Sequence, residues 1–477
     1  MGVYTYPTGI EIDTRYIENE KGISSFDIEA IKDKIDKALS CGQYLRQEGR
    51  VEGHLSKDGE EEAVLFSQLP YIRPDGLNTP ELMDRLDVFR QHCQDDIDAV
   101  VAFGVGGSYL GGKVLFDVHC GSFWNSHSDL ERDGYPRLYF SGNNVDTVAV
   151  SELIHALQLQ AKAKSGYKVM LIVISKSGST IEPMSNFMII EQALIDAQIA
   201  YEVTAVTDLR QDDKETLLHK MAVENQWPIF SVPDGVGGRF SVFTEVGLLV
   251  GAAVGFDIES FLLGARAMDQ ICESANLRDN PALLLAVLKY ISAVSYDRVI
   301  EVCMPYGACL KSLSEWYVQL LAESLGKKRS DGSHYGRTPV VAIGTTDMHA
   351  QVQEHQEGLY NKVVQFIRVA DWDKTILVPD RYPKYAKLAS LSGHSLADIM
   401  DVALESNAEA QAMDGRFNLC ITLPKLNAFY LGQLMFLFCW AIFYESILAD
   451  VDAFDQPGVE IYKRLLGPKL QERKQKA

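Results

Sequence analysis

VMLIVISKSGSTIEP, residues 169–183, changes character at its midpoint. The six apolar residues 169–174 predict a strand buried on both faces, as in a parallel sheet covered by helices. Ser175, Lys176, Ser177, Gly178, Ser179 and Thr180 then supply hydroxyls, backbone N–H groups and one ammonium, while Glu182 and Pro183 open a helix. A strand, turn and helix start of this kind leaves backbone donors pointing outward at the positive end of a helix dipole, which suits a phosphate group. Read alone, the same loop also fits an ordinary capped helix with nothing bound.

A second stretch, IDAVVAFGVGGSYLGGK at 97–113, repeats the theme. Gly104, Gly106 and Gly107 allow backbone to approach a ligand closely, and Ser108 can cap the following helix or donate to an anion. The spacing is neither the G-x-G-x-x-G of dinucleotide binding nor the Gly-Lys-Ser/Thr of a Walker loop. In a parallel sheet the two turns fall on one edge, where ligands of open α/β sheets bind.

DGVGGRFSVFTEVG at 234–247 follows, its Gly237–Gly238 pair delivering Arg239. A planar cation there can stabilise an oxyanion, although the residues alone fit a surface turn with a solvated arginine better. The mostly apolar residues 299–304, interrupted by Glu301, predict another strand, and 308–325 a helix ending in Glu323 with Gly326, Lys327 and Lys328 beyond. The strand predicted at 340–344 leads into TTDMHAQVQEHQEG, which puts His349 one turn into a helix. Strand, small or hydroxyl-bearing turn and helix thus occur in both halves, which predicts two α/β/α sandwiches with mostly parallel sheets. The expected division is an N-terminal helical segment (1–90), two sandwich domains (91–256 and 257–425) and C-terminal helices (426–477). FDQPGVEIYK at 454–463 places Lys463 near the chain's end, where a lysine is usually solvated.

Composition narrows the class. The 477 residues exceed one ordinary domain, and 45 basic against 65 acidic residues give a net charge of −20, which argues against a nucleic-acid partner. The eight cysteines are scattered without a Cys-x-x-Cys pair, and no His-Glu-x-x-His occurs, so reduced cytoplasmic thiols are expected rather than a disulfide frame or a metal site. The first residues lack a basic segment followed by an apolar core, which argues against secretion. The apolar run LMFLFCWAIFY at 434–444 is too short for a bilayer and predicts a buried helix.

Taken together, GVGGSYLGG, SKSGSTIEP, DGVGGRFSVFTEVG, LLAESLGK, GTTDMHA and FDQPGVEIYK resemble, in order, the glucose-6-phosphate isomerase family of the sugar isomerase (SIS) fold, the last two in its shorter bacterial form. Little of the resemblance lies in the first 90 residues or in 360–425. It implies exchange of an aldose and a ketose 6-phosphate through an enediol, in glycolysis and gluconeogenesis, with no cofactor or metal. Glu323 is then the base that moves a proton between C1 and C2. His349, assisted by Lys463, opens the sugar ring, and Arg239 stabilises the enediolate. Ser175, Ser177 and Thr180, with Lys176, Gly107 and Ser108, hold the phosphate. The resemblance further implies a cytoplasmic homodimer, without membrane or nucleic-acid partners, in which His349 crosses to the neighbour's site and the C-terminal helices complete it. Two residues depart from the family pattern. Glu245 stands where a small residue is expected, and Gly178 replaces a bulkier one. Competing readings are a regulator of the same fold that binds a sugar phosphate without turning it over, or an isomerase with another main phosphosugar such as mannose 6-phosphate. A nicotinamide-dependent dehydrogenase is weakened by the missing G-x-G-x-x-G.

Overall fold

In this computed structural model, which describes residues 2–56, 59–210 and 215–476, both halves of the chain build a parallel sheet covered by helices. The N-terminal segment comes first, with β1 (Val3–Thr5) and β2 (Glu11–Asp13) as an antiparallel pair. After α1 (Ser25–Glu29) and α2 (Lys32–Glu48), a hairpin of β3 (Arg50–Leu55) and β4 (Glu61–Ala63) leads to α3 (Pro80–Asp96). A helical segment is expected over 1–90; the strands are not, since β1, β2 and β4 have three residues each, too few to display an alternation, and β3 carries a register shift.

The first sheet is made by β5 (Ala99–Phe103), α4 (Gly107–Cys120), β6 (Arg137–Ser141), α5 (Thr147–Ala163), β7 (Lys168–Ile174), α6 (Ile181–Asp196), β8 (Ala200–Thr207), α7 (Leu217–Glu224) and β9 (Ile229–Ser231). Its order is β6-β5-β7-β8-β9 with every pairing parallel. Every residue of β5 and all of β7 but Lys168 are buried, as the unbroken apolar runs require. From β5 the chain goes out to β6, then crosses back to place β7 on the other side of β5. The loops after β5 and β7 therefore open at the switch point, the usual ligand crevice of such sheets.

A short helical turn, Gly238–Phe243, then joins α8 (Glu245–Ala252), α9 (Ile258–Ile271) and α10 (Pro281–Tyr296). The second sheet draws on β10 (Ile300–Pro305), α11 (Lys311–Leu325), the small pair β11 (Lys327–Lys328) and β12 (His334–Tyr335), β13 (Thr338–Val341), α12 (Val352–Glu357), β14 (Lys362–Asp371), α13 (Ala386–Ala389), α14 (Leu396–Met413) and β15 (Phe417–Lys425). In the order β1-β2-β15-β14-β10-β13 the strands from β10 to β15 are parallel, and β2 adds antiparallel to β15. The same switch recurs, with β13 on one side of β10 and β14 on the other. Two α/β/α layers of this kind are the architecture the sequence predicts.

α15 (Ala428–Leu448) and α16 (Pro457–Lys476) close the chain. By length and composition α15 is apolar enough to cross a membrane, yet 94% of its most apolar window is buried inside the protein, packed on α9, α10, α11 and α2. Glu445, which follows the apolar run, lies inside this helix rather than at its end and is held by Arg337 Nε and Nη2 at 2.6 Å each and by the Tyr335 hydroxyl at 2.7 Å. The expected buried helix is present and ten residues longer than the run that announced it.

Candidate active site

Glu323 lies in the last turn of α11, which ends at Gly326. Arg239 reaches it from the turn Gly238–Phe243, its Nη1 standing 3.2 Å from Glu323 Oε2, and Gln319, one helical turn earlier, donates to the same oxygen at 3.1 Å. Among the described residues no hydrogen bond falls on Glu323 Oε1. The Glu323 side chain is 23% exposed whereas Arg239 is 2% exposed, so the carboxylate opens to solvent from a base of buried charge. Burial pulls the Arg239 guanidinium below its ordinary value, opposed by Glu323 and Asp455, and an arginine so placed stays charged.

The glycine turn after β5 sits against this pair. α4 packs on α11 and on the turn that carries Arg239. A Cβ on Gly107 would fall 2.0 Å from the Gly238 carbonyl oxygen, so this crossing admits no side chain. The carboxylate, the guanidinium and the first of the two predicted loops thus converge.

The second loop, after β7, is preorganised by its own hydroxyls. Ser175 Oγ accepts from Gly178 N at 3.1 Å and pairs with Thr180 Oγ1 at 3.1 Å, while Ser177 Oγ accepts from Ser179 N at 3.3 Å. Thr180 occupies the cap position of α6 without its side chain capping the helix, which leaves first-turn N–H groups without that partner. Lys176 bridges to Asp234 at 3.2 Å, tying this loop to the segment that delivers Arg239. The small residue at 178 has a local cause. Gly178 has φ +67°, and a Cβ would meet Leu218 N at 2.3 Å, so a bulkier residue does not fit this backbone. Glu245, the other departure, accepts from the Ser231 backbone N–H on β9.

Among the described residues neither His349 nor Lys463 makes a hydrogen bond or ion pair with Glu323 of the same chain. His349 is exposed in a short turn, Thr346–His349, beyond the carboxyl end of β13, and the helix expected to hold it begins only at Val352. Lys463 is exposed on α16, with its ammonium 3.3 Å from Glu460.

The family model described as phosphoglucose isomerase matches residues 81–476. The chain belongs to the phosphoglucose isomerase family. It is 30% identical over 455 residues, 94% of this chain and 91% of the relative, to a glucose-6-phosphate isomerase of Carboxydothermus hydrogenoformans. A glucose-6-phosphate isomerase of Rubrobacter xylanophilus is 35% identical over 401 residues, 84% of this chain and 87% of its own. Among solved structures, that of a glucose-6-phosphate isomerase from Chlamydia trachomatis superposes with a TM-score of 0.79 over 99% of this chain and 90% of its own, and at 21% identity it speaks to the fold.

Several residues of this candidate site escaped the reading from sequence. Gln456 accepts from Arg239 Nη1 at 3.1 Å, and the carbonyl oxygens of Ala453 and Asp455 accept from Nη2 at 2.6 and 2.9 Å. Lys327 is buried and donates to both the backbone and the carboxylate of Asp455, and burial lowers its ammonium from the ordinary value. Gln456 lay within FDQPGVEIYK, and Gln319 sits one turn before Glu323. Both were visible as letters, but their contacts span the fold.

Proposed function

We propose that this phosphoglucose isomerase, which interconverts glucose 6-phosphate and fructose 6-phosphate, uses Glu323 as the base that takes the proton from one of C1 and C2 and returns it to the other. Free Oε1 does the transfer while Oε2 is held by Arg239 and Gln319. As the proton leaves carbon, charge gathers on the substrate oxygens, and the desolvated Arg239 guanidinium is the cation nearest to Glu323 that can stabilise it. The two hydroxyls exchange roles by moving one further proton between O1 and O2, so the reaction is balanced without an external reductant. The observation that carries this reading is the convergence of Glu323, Arg239 and the Gly107 turn at the sheet edge where Ser175, Ser177 and Thr180 also lie.

In the same reading those three hydroxyls, with Lys176, Ser108 and the Gly107 N–H, hold the substrate phosphate and fix the sugar against the base. Ring opening falls to His349 and Lys463. Exposed in its own chain, His349 serves a neighbouring site in a homodimer as the partner subunit's His349. Support for such a dimer comes from the segment 374–396, which exposes Ile376, Leu377, Tyr382, Tyr385 and Leu388 together. The repeated strand switch supports residues 91–256 and 257–425 as the two sugar isomerase domains. All eight cysteines are free thiols, which supports a cytoplasmic location.

The test is a coupled assay in which fructose 6-phosphate is supplied and glucose 6-phosphate is followed through its dehydrogenase, with and without a chelator. Turnover unaffected by chelator is expected. Absence of turnover by the folded protein would favour a sugar-phosphate-binding regulator, and sensitivity to chelator would overturn the assignment of Arg239 as the electrophile.

A further inference from the structure

One eight-residue strap, 449–456, runs between α15 and α16 and is held by cations from six directions. Arg329 Nε donates to the Ala449 carbonyl at 2.7 Å, and Lys34 and Lys37 pair with Asp450 at 2.8 and 3.0 Å. His54 Nδ1 lies 2.9 Å from Asp452 Oδ2, Arg239 binds Ala453, Asp455 and Gln456, and Lys327 binds Asp455. The apolar anchor is Phe454, whose ring lies 5.4 Å from Phe240, 6.1 Å from Phe66 and 5.6 Å, edge to face, from His54. Phe240 is the residue next to Arg239.

Of these six cations, Lys34 and Lys37 are half exposed and contribute little each, and Arg329 binds the strap only through the Ala449 carbonyl at its far end. Arg239 and Lys327 lie at the site itself. His54 is different. Its side chain is only 8% exposed, it projects from the β3–β4 hairpin, and the mechanism above makes no use of it.

We propose that His54 is a positioning residue of this isomerase: by clamping Asp452 it fixes the strap whose carbonyl groups and Gln456 aim Arg239 at the substrate. The inference rests on the reading that Arg239 stabilises the enediolate. Its physical content is that a guanidinium can be preorganised only if its acceptors are, and three of them lie within four residues of Asp452.

The clamp is pH-sensitive in a defined sense. The charged groups facing His54 are Asp452 at 2.9 Å, Glu62 from β4 at 3.6 Å and, farther along the strap, Asp455, while Lys327 acts on Asp452. Burial lowers the His54 pKa, but the Asp452 hydrogen bond and charge outweigh it and raise the imidazolium above its ordinary 6.5. Burial likewise raises Asp452, but its bond to His54 prevails and holds the carboxyl below 3.8. The raised histidine contributes fully below 6.5 and is lost as pH rises through its folded value, whereas the depressed aspartate contributes above 3.8 and is lost as pH falls through its folded value. Between those limits the ion pair is complete.

His54→Leu removes donor and charge, and His54→Asn keeps an N–H donor near the Nδ1 position without the charge. In steady-state assays His54→Leu is expected to lose about tenfold in kcat with KM changed by less than about twofold. His54→Asn should recover most of kcat, and its alkaline limb should move to higher pH because the titrating clamp is gone. Should His54→Leu not fold, the pH profile of His54→Asn decides, and a profile coinciding with that of the unmodified enzyme overturns the proposal. So does a His54→Leu protein with a lower melting temperature but unchanged kcat, since that is a purely structural role. Arg239→Lys, measured alongside, separates the two claims. Full activity there sinks the reading of the site, whereas an impaired Arg239→Lys beside unaltered His54 variants sinks only the role of His54.

Discussion

At the scale of single residues the site turns on one desolvated cation next to one carboxylate. Arg239 reaches Glu323 through Nη1 while the strap fixes it through both terminal nitrogens, and a planar fork is needed to satisfy all of these at once. A lysine offers one point charge and cannot span them. Arg239→Lys is therefore expected to lower kcat by about 10²–10³-fold with a much smaller effect on KM, measured in the coupled assay. The candidate residues themselves were legible in the sequence because each sits in a short pattern with a mechanism: hydroxyls after a buried strand, an arginine after paired glycines, a glutamate at a helix end. Their partners were not legible. Arg239 and Ala453 are separated by more than two hundred positions, and His54 and Asp452 by nearly four hundred, and no local pattern links residues so far apart.

At the scale of elements, α11 has to hold Glu323 still against solvent. Two turns before it, the Tyr317 hydroxyl donates to Glu301 Oε1 at 2.7 Å and accepts from Lys289 at 2.8 Å, inside a buried set completed by Arg337 and Glu445. Glu301, Lys289, Arg337 and Glu445 are all 1% exposed or less by side chain, so each charge depends on its partners. Glu445→Gln leaves the Arg337 guanidinium short of a charge, and a loss of about 3–5 kcal/mol in unfolding free energy is expected from denaturant titration. An unchanged midpoint would show that the set relaxes without cost. Buried strands β5 and β7 were readable from apolar runs, and β10 from a run interrupted only by Glu301, whereas β1 and β2, three residues each, are too short to show a pattern, β2 pairing with the edge of β15 and β1 with β2.

At the scale of the whole molecule, two sheets repeat one strand switch, and the groups proposed to open the ring, His349 and Lys463, make no hydrogen bond or ion pair with Glu323 among the described residues. Under the proposed sharing of His349 between subunits, two inactive variants should complement each other. Mixing Glu323→Gln with His349→Ala protein and allowing subunits to exchange should restore activity, because the mixed dimer rebuilds one intact site. Two inactive parents whose mixture stays inactive would place His349 in its own chain or outside catalysis. The central claim, that the Glu323 carboxylate carries hydrogen between neighbouring carbons, is tested most directly by NMR of the sugar phosphates in D2O. The unmodified enzyme is expected to wash deuterium into C1 of fructose 6-phosphate and C2 of glucose 6-phosphate, and Glu323→Gln to bind substrate while exchanging about 10²–10⁴-fold more slowly. Exchange by Glu323→Gln at the unmodified rate would contradict it.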